Sequence, residues 1–261
     1  MKKSQIIAIL NQLYPFDNQE EWDFCGYDKS QSTHDDVIGI LITLDLNWKS
    51  IQQAIEKQCN VIITHHPLFK NDLEHPENYV LNHINKEMFA FLQENKILHI
   101  SLHTCFDRDS MGTSYQILKS LKIFKLIKSK TPEIPYLIYG ELENEMTVRE
   151  LTQTLSKNPI LNNVRYIQQQ ETNTVQTVCL GAGSCSSYLN EVIQTQVDCF
   201  LTGDFKWHGF QDAFNAKLNV VDIGHDAEQV FIETIYSQIN KTISFDKIYK
   251  FYNPIVIKDV K

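Results

Sequence analysis

Val61-Ile62-Ile63-Thr64-His65-His66-Pro67 reads as a short strand that runs into two adjacent imidazoles and is stopped by proline. Valine, isoleucine and threonine fit a pleated, packed surface. Neighbours on a strand face opposite ways. Where the backbone bends at the strand's end, the two rings can therefore diverge and serve two different ions. Imidazole is the commonest metal-ligating side chain. The duller reading, two solvated loop histidines, is weighed against what lies elsewhere in the chain.

The stretch recurs. Ala54-Ile55-Glu56-Lys57-Gln58-Cys59-Asn60 leads into Val61 as Val192-Ile193-Gln194-Thr195-Gln196-Val197-Asp198 leads into Cys199-Phe200-Leu201-Thr202-Gly203-Asp204. Each reads as the last turn of an amphipathic helix, a polar turn, a buried strand and a polar tip. Upstream, Ile38 to Leu44 matches Val175 to Leu180, followed by the turns Asp45-Leu46-Asn47 and Gly181-Ala182-Gly183-Ser184. Downstream, Ile97 to His103 and Leu218 to His225 are strands ending in histidine. Each half thus reads strand, helix, strand, helix, strand. That is an α/β class fold with a largely parallel sheet covered on both faces. In such sheets, residues at the carboxyl ends of the strands line the ligand crevice. His65, His66, His103, Asp204 and His225 all fall there.

The halves are bounded as 1–130, carrying the His-His pair, and 178–261, carrying Gly224-His225. Residues 131–177 form a small α+β middle segment. In it, Thr147-Val148-Arg149-Glu150 is a capping box that starts a helix over Val148 to Leu155.

Composition narrows the function. The chain has 261 residues, 43% hydrophobic and 21% charged, enough to bury a substantial core. Its net charge of −8 argues against a basic nucleic-acid-binding face. No apolar run reaches the ~18 residues of a membrane span, and Met1 to Gln5 does not open a signal peptide. Cys25, Cys59, Cys105, Cys179, Cys185 and Cys199 form no Cys-x-x-Cys and sit mostly in apolar runs. They read as reduced core thiols, which points to the cytoplasm.

The polar groups at the strand ends form a donor set. His103 and Asp107 lie in His103-Thr104-Cys105-Phe106-Asp107, and His225 and Glu228 in His225-Asp226-Ala227-Glu228. A helix starting near Asp226 places His225 and Glu228, three apart, on one face. His65 and His66, a bridging carboxylate and a further His–carboxylate pair suffice for two divalent ions, which together activate water for hydrolysis. Such thiolate-free ligation suits Zn, Mn, Fe or Co. Each residue has a plainer reading. His103 can orient a neighbour, Asp107 can be a turn residue, and Glu228 a charge that favours a helix N-terminus. Gly181-Ala182-Gly183-Ser184 fits a phosphate cradle or tight packing. Asp204, Lys206 and His208 face substrate or belong to a solvated loop. His34, His75, His83 and His99 read as surface or core histidines.

Four motifs together resemble the Nif-three-like dinuclear-metal-centre family, the GTP cyclohydrolase type 2 homologues. They are Ile63-Thr64-His65-His66-Pro67-Leu68-Phe69, His103 to Asp107, Gly181 to Ser186 with Leu201 to His208, and Asp222-Ile223-Gly224-His225. Glu21-Trp22-Asp23 resembles the family's N-terminal signature, and Thr43-Leu44-Asp45 its first strand end. The resemblance implies α/β/α layers built from two intertwined, pseudo-duplicated repeats with a mostly parallel mixed sheet, and assembly as a homohexamer. It also implies that His65, His66, Asp107, His225 and Glu228 hold two metal ions, with Asp107 or Glu228 bridging. Two departures stand out. Glu228 follows His225 by three residues where the family has four, and Phe24 stands where it often has asparagine.

The expected function is a dinuclear metal-dependent hydrolase acting on a nucleotide or related small molecule. His103 is the candidate general base, and Lys206 and His208 the candidate substrate contacts. The alternative is a non-enzymatic metal-binding adaptor or regulator. No membrane partner is expected, and nucleic acid is disfavoured.

Overall fold

Val61–Thr64 is the strand its composition predicts, and every residue in it is buried. The computed structural model describes residues 1–71, 79–80, 82–128, 134–161, 163–170 and 172–253. The chain divides into two compact units, Met1–Asp109 with Phe231–Lys261, and Ser110–Val230.

In the first unit, four strands form an all-parallel sheet in the order Ile248–Phe251, Ile40–Thr43, Val61–Thr64, Leu98–Ser101. Alternate residues of these strands point to opposite faces. Ile40, Ile42, Val61 and Ile63 pack with Ile6 and Leu10 of the helix Lys3–Leu13 and with Phe231, Ile235 and Ile239 of the helix Val230–Thr242. Leu41 and Ile62 pack with Ile51 and Ala54 of Trp48–Glu56 and with Met88 and Leu92 of His83–Glu94. Helices therefore cover both faces, as an all-parallel sheet requires. Asn47 caps Trp48–Glu56, its Oδ1 accepting from the amides of Lys49 and Ser50.

Register sets where the site lies. Thr43 stands beside Thr64, and Thr64 beside Ser101. The three strands end level, so Asp45, His65-His66 and His103 leave the sheet at one edge.

The second unit holds a six-stranded mixed sheet, ordered Phe124–Ile127, Leu137–Thr147, Thr174–Gly181, Cys199–Thr202, Asn219–Asp222, Arg165–Ile167. Thr174–Gly181, Cys199–Thr202 and Asn219–Asp222 run parallel and end level, Gly181 beside Thr202 beside Asp222. The other three strands are antiparallel to their neighbours. Leu118, Leu151, Val178, Leu180, Leu201 and Val221 fill one cluster. Cys179, Phe200 and Val220 fill another with Leu189, Val192 and Ala213. Thr147 caps Val148–Leu155 through the predicted box, its Oγ1 accepting from the Glu150 amide while Glu150 accepts from the Thr147 amide.

The α/β reading holds, with strands exchanged between the halves: Phe124–Ile127 of the first half pairs in the second unit's sheet, and Ile248–Phe251 of the second half pairs in the first unit's sheet. One local expectation changes. The helix expected near Asp226 begins at Val230, and His225–Gln229 is a 3₁₀ turn. Among the described residues, no helix is long and apolar enough to cross a membrane.

His99 shows how the first sheet supports its edge. It is 2% exposed, and its Nε2 lies 2.8 Å from Thr64 Oγ1. The Thr64 hydroxyl donates to the His66 carbonyl at 2.7 Å, so it accepts from His99 Nε2–H. Burial pushes the His99 imidazole down to about 3 from 6.5. Above pH 6.5 both folded and unfolded chains hold it neutral. As pH falls below that, the unfolded chain takes up a proton that the folded chain refuses, and stability drops. Wild type is expected to lose stability more steeply than His99→Gln between pH 6.5 and 5, by up to about 1.4 kcal/mol per pH unit. Urea unfolding of the metal-free proteins reads this, and equal slopes would refute it.

Candidate metal centre

The level strand ends of the first unit bring three histidines together. His65 and His66 follow Val61–Thr64, and both of their amides donate to the Leu44 carbonyl at 3.1 Å. His103 precedes the short helix Thr104–Asp107. Ring centroids lie 4.8 Å apart for His65–His66, 5.1 Å for His65–His103 and 5.4 Å for His66–His103. One ligand atom from each lies within 4.8 Å of the other two, a grouping able to hold a metal ion.

Each ring is held by Nδ1. His65 Nδ1 donates to the Leu102 carbonyl at 2.9 Å, His66 Nδ1 to Asp45 Oδ1 at 2.8 Å, and His103 Nδ1 to Asp23 Oδ1 at 2.8 Å. A carbonyl and an ionised carboxylate only accept, so these bonds fix the proton on Nδ1 and leave the lone pair on Nε2. That is how ligating histidines are oriented in metal sites. His65 Nε2 lies 3.6 Å from Asp107 Oδ1. The spacing is long for a hydrogen bond, but two donors on one zinc-like ion at tetrahedral angles stand roughly 3.3–3.6 Å apart. His65 is fully buried and packs against Phe106 and Phe231, in surroundings where charge interactions are strong.

Asp23 anchors the segment that carries these groups. It is 1% exposed, and its Oδ2 accepts from the Thr104 amide at 2.9 Å and the Thr104 hydroxyl at 2.6 Å. Burial alone would raise its pKa. The bonds from His103 and Thr104 outweigh burial and hold the carboxyl well below the usual carboxylate range. Phe24, where the resembling family often has asparagine, is buried and packs on Phe69 at 4.9 Å.

The second unit builds a matching pair. His225 Nδ1 lies 2.9 Å from Asp204 Oδ2, and His225 Nε2 lies 3.6 Å from Glu228 Oε2. Asp204 adopts a left-handed backbone conformation, φ +50°, which aspartate tolerates better than most residues. The 3₁₀ turn accounts for the short His225-to-Glu228 spacing. With three residues per turn, residues three apart eclipse, so both side chains share a face. Buried Asp222 ties the loops together, accepting from the Gly224 and Phe205 amides and pairing with Arg165.

Gly183 is closely packed within its turn. Its φ is +61°, and a Cβ there would stand 2.6 Å from Glu228 Oε1. Lys206 N-caps the exposed start of Trp207–Asn215, and His208 is exposed in its first turn. His99 is a core residue, His34 and His83 are exposed, and His75 lies outside the described residues. Asp23 and Asp45 were visible only through the resembling motifs Glu21-Trp22-Asp23 and Thr43-Leu44-Asp45, which gave no hint that they hold histidine rings.

All six cysteines are buried and unbridged. Burial pushes the Cys59 and Cys179 thiols up to about 12. These two thiols stay protonated at neutral pH, and a protonated thiol is a poor ligand.

Gly183→Ala tests the Glu228 arrangement. A side chain at positive φ costs about 1–2 kcal/mol and displaces the carboxylate. We expect a folded protein whose zinc affinity falls roughly 10–100-fold, as when a ligand's support is lost. Unchanged affinity in a zinc titration would mean that Glu228 is not a ligand.

Comparison with known proteins agrees with this architecture. The Ureaplasma parvum protein named GTP cyclohydrolase 1 type 2 homolog is 30% identical over 247 residues, covering 92% of this chain and 90% of its own. A Mycoplasmopsis pulmonis protein of the same name is 32% identical over 240 residues, covering 89% and 91%. The crystal structure of a Staphylococcus aureus hypothetical protein superposes with a TM-score of 0.80 at 23% identity, over 96% of both chains, a likeness of fold. The family model described as Duf34/NIF3 (NGG1p interacting factor 3) matches residues 1–253, and the chain belongs to that family.

Proposed function

We propose that this chain is a hydrolase that uses two divalent cations, held by His65, His66 and Asp107 of the first unit and by His225 and Glu228 of the second. The observation that carries the reading is shared by both units: a histidine fixed through Nδ1, with its Nε2 3.6 Å from a carboxylate oxygen. Asp23, Asp45 and Asp107 lie around His65, His66 and His103, and Asp204 and Glu228 lie around His225. That suits a divalent cation. The donors fit Zn, Mn, Fe or Co. When bound, such ions polarise the bond to be cut and lower the pKa of water.

His103 completes the proposal. Its Nδ1–H is committed to Asp23, so Nε2 is the atom that accepts a proton from attacking water. Asp23, ionised and buried, stabilises the imidazolium that results. This is the division of labour of a histidine base and its orienting carboxylate. Lys206 and His208, exposed at a helix start, are proposed contacts for substrate anions. A nucleotide or related small molecule is the proposed substrate class, supported by the relatives' name. GTP is the first compound to test.

Elemental analysis after reloading should find about two ions per chain, lost in His65→Ala/His66→Ala along with hydrolysis of a nucleotide panel. Full metal loading with no turnover would refute the hydrolase and favour a metal-binding regulator. Asp23→Asn should keep its metal while turnover falls at least tenfold, within the usual range for losing a positioned base. Loss of metal in that variant would instead make His103 a ligand.

A further inference from the structure

Trp22 is 45% exposed, although a large aromatic ring gains most from burial. The backbone beneath it is tightly held. The Asp23 amide donates to the Glu20 carbonyl at 3.0 Å, closing a four-residue turn with Trp22 at its third position. Both ends of the turn are tied to the segment that carries His103 and Asp107. The Glu20 amide donates to Thr104 Oγ1 at 2.9 Å, and Glu20 pairs with Arg108 at 3.0 Å. At the other end, the Asp23 carboxylate takes His103 Nδ1, the Thr104 amide and the Thr104 hydroxyl. The indole itself meets the His103 ring edge to face, with centroids 5.8 Å apart and planes at 76°.

A rigid mount that leaves an aromatic ring exposed beside a histidine cluster is not needed for packing. Trp48 makes the contrast. It is similarly exposed, but its edge-to-face partner is Phe91, a side chain of the sheet's covering layer. We propose that Trp22 is the platform on which a planar heteroaromatic ring of the substrate stacks, next to His103. The proposal deepens the function proposed above and rests on it for the identity of the site. Stacking tolerates ring identity, because every such ring has a π-face. Trp22 therefore selects for the presence of a ring, and the choice among rings falls to other groups.

The test uses the full chain, metal-free and zinc-loaded, with guanosine monophosphate, adenosine monophosphate and ribose 5-phosphate as probes. Calorimetric titration reads binding, and elemental analysis reads metal in every sample. Wild type is expected to bind both nucleotides on the order of tenfold or more tighter than ribose 5-phosphate, in both metal states. Trp22→Leu should erase that margin with metal content unchanged. Trp22→Phe should retain most of it, and Trp48→Leu all of it. A wild type with no ring preference, or a Trp22→Leu that keeps it, overturns the proposal. Absence of metal from reloaded wild type would sink the hydrolase, while the ring preference of the metal-free chain would still decide the role of Trp22.

Discussion

Hydrogen bonds to imidazole Nδ1 are the constraint on which the candidate site depends. Four histidines, His65, His66, His103 and His225, have Nδ1 against a carbonyl or carboxylate oxygen at 2.8–2.9 Å. Each bond removes rotational freedom from a ring and chooses its tautomer. The cost is carried by the fold. Asp23 is almost fully buried, and an unpaired carboxylate there would destabilise the chain by several kcal/mol. Bonds from His103 and Thr104 offset that cost. The sheets serve the same end within each unit, because parallel strands that finish in register deliver their following residues to one edge. In the first unit those residues are Asp45, His65, His66 and His103. In the second they are Gly183, Asp204, Gly224 and His225.

Much of this was legible in the sequence because it is local. Val61–Thr64, Cys199–Thr202 and Asn219–Asp222 are short apolar runs with polar tips, and the Thr147 box specifies a helix start by itself. What was hidden depends on long-range pairing. Nothing local says that Ile248–Phe251 returns to pair with Ile40–Thr43, nor that strands from the middle of the chain flank the second parallel set. The partner of His103 is 80 residues away in sequence. The 3₁₀ turn at His225 was also hidden, and it changes the meaning of a spacing. Three residues from histidine to glutamate are one fewer than in the resembling family, and on a 3₁₀ turn residues three apart eclipse. Gly183 was visible only as a turn residue, since its neighbour Glu228 arrives from 45 positions downstream.

The cysteines explain the chemistry by contrast. Six are present, enough for a thiolate metal site, yet all are buried, and desolvation pushes the Cys59, Cys105, Cys179 and Cys199 thiols upward. In the proposed metal centre, ligation falls to imidazole and carboxylate. Such donors favour ions that act as Lewis acids on oxygen-rich substrates, which is consistent with hydrolysis as the proposed chemistry.

The most direct test of the account is the tautomeric state of the histidines in the metal-free chain, read from the nitrogen-15 shifts of the imidazole rings above pH 7. His65, His66, His103 and His225 should each carry the proton on Nδ1, with Nε2 unprotonated. Protonation at Nε2 in His65 or His225 would contradict the account, because the nitrogen facing the carboxylate would then be a donor and not a ligand.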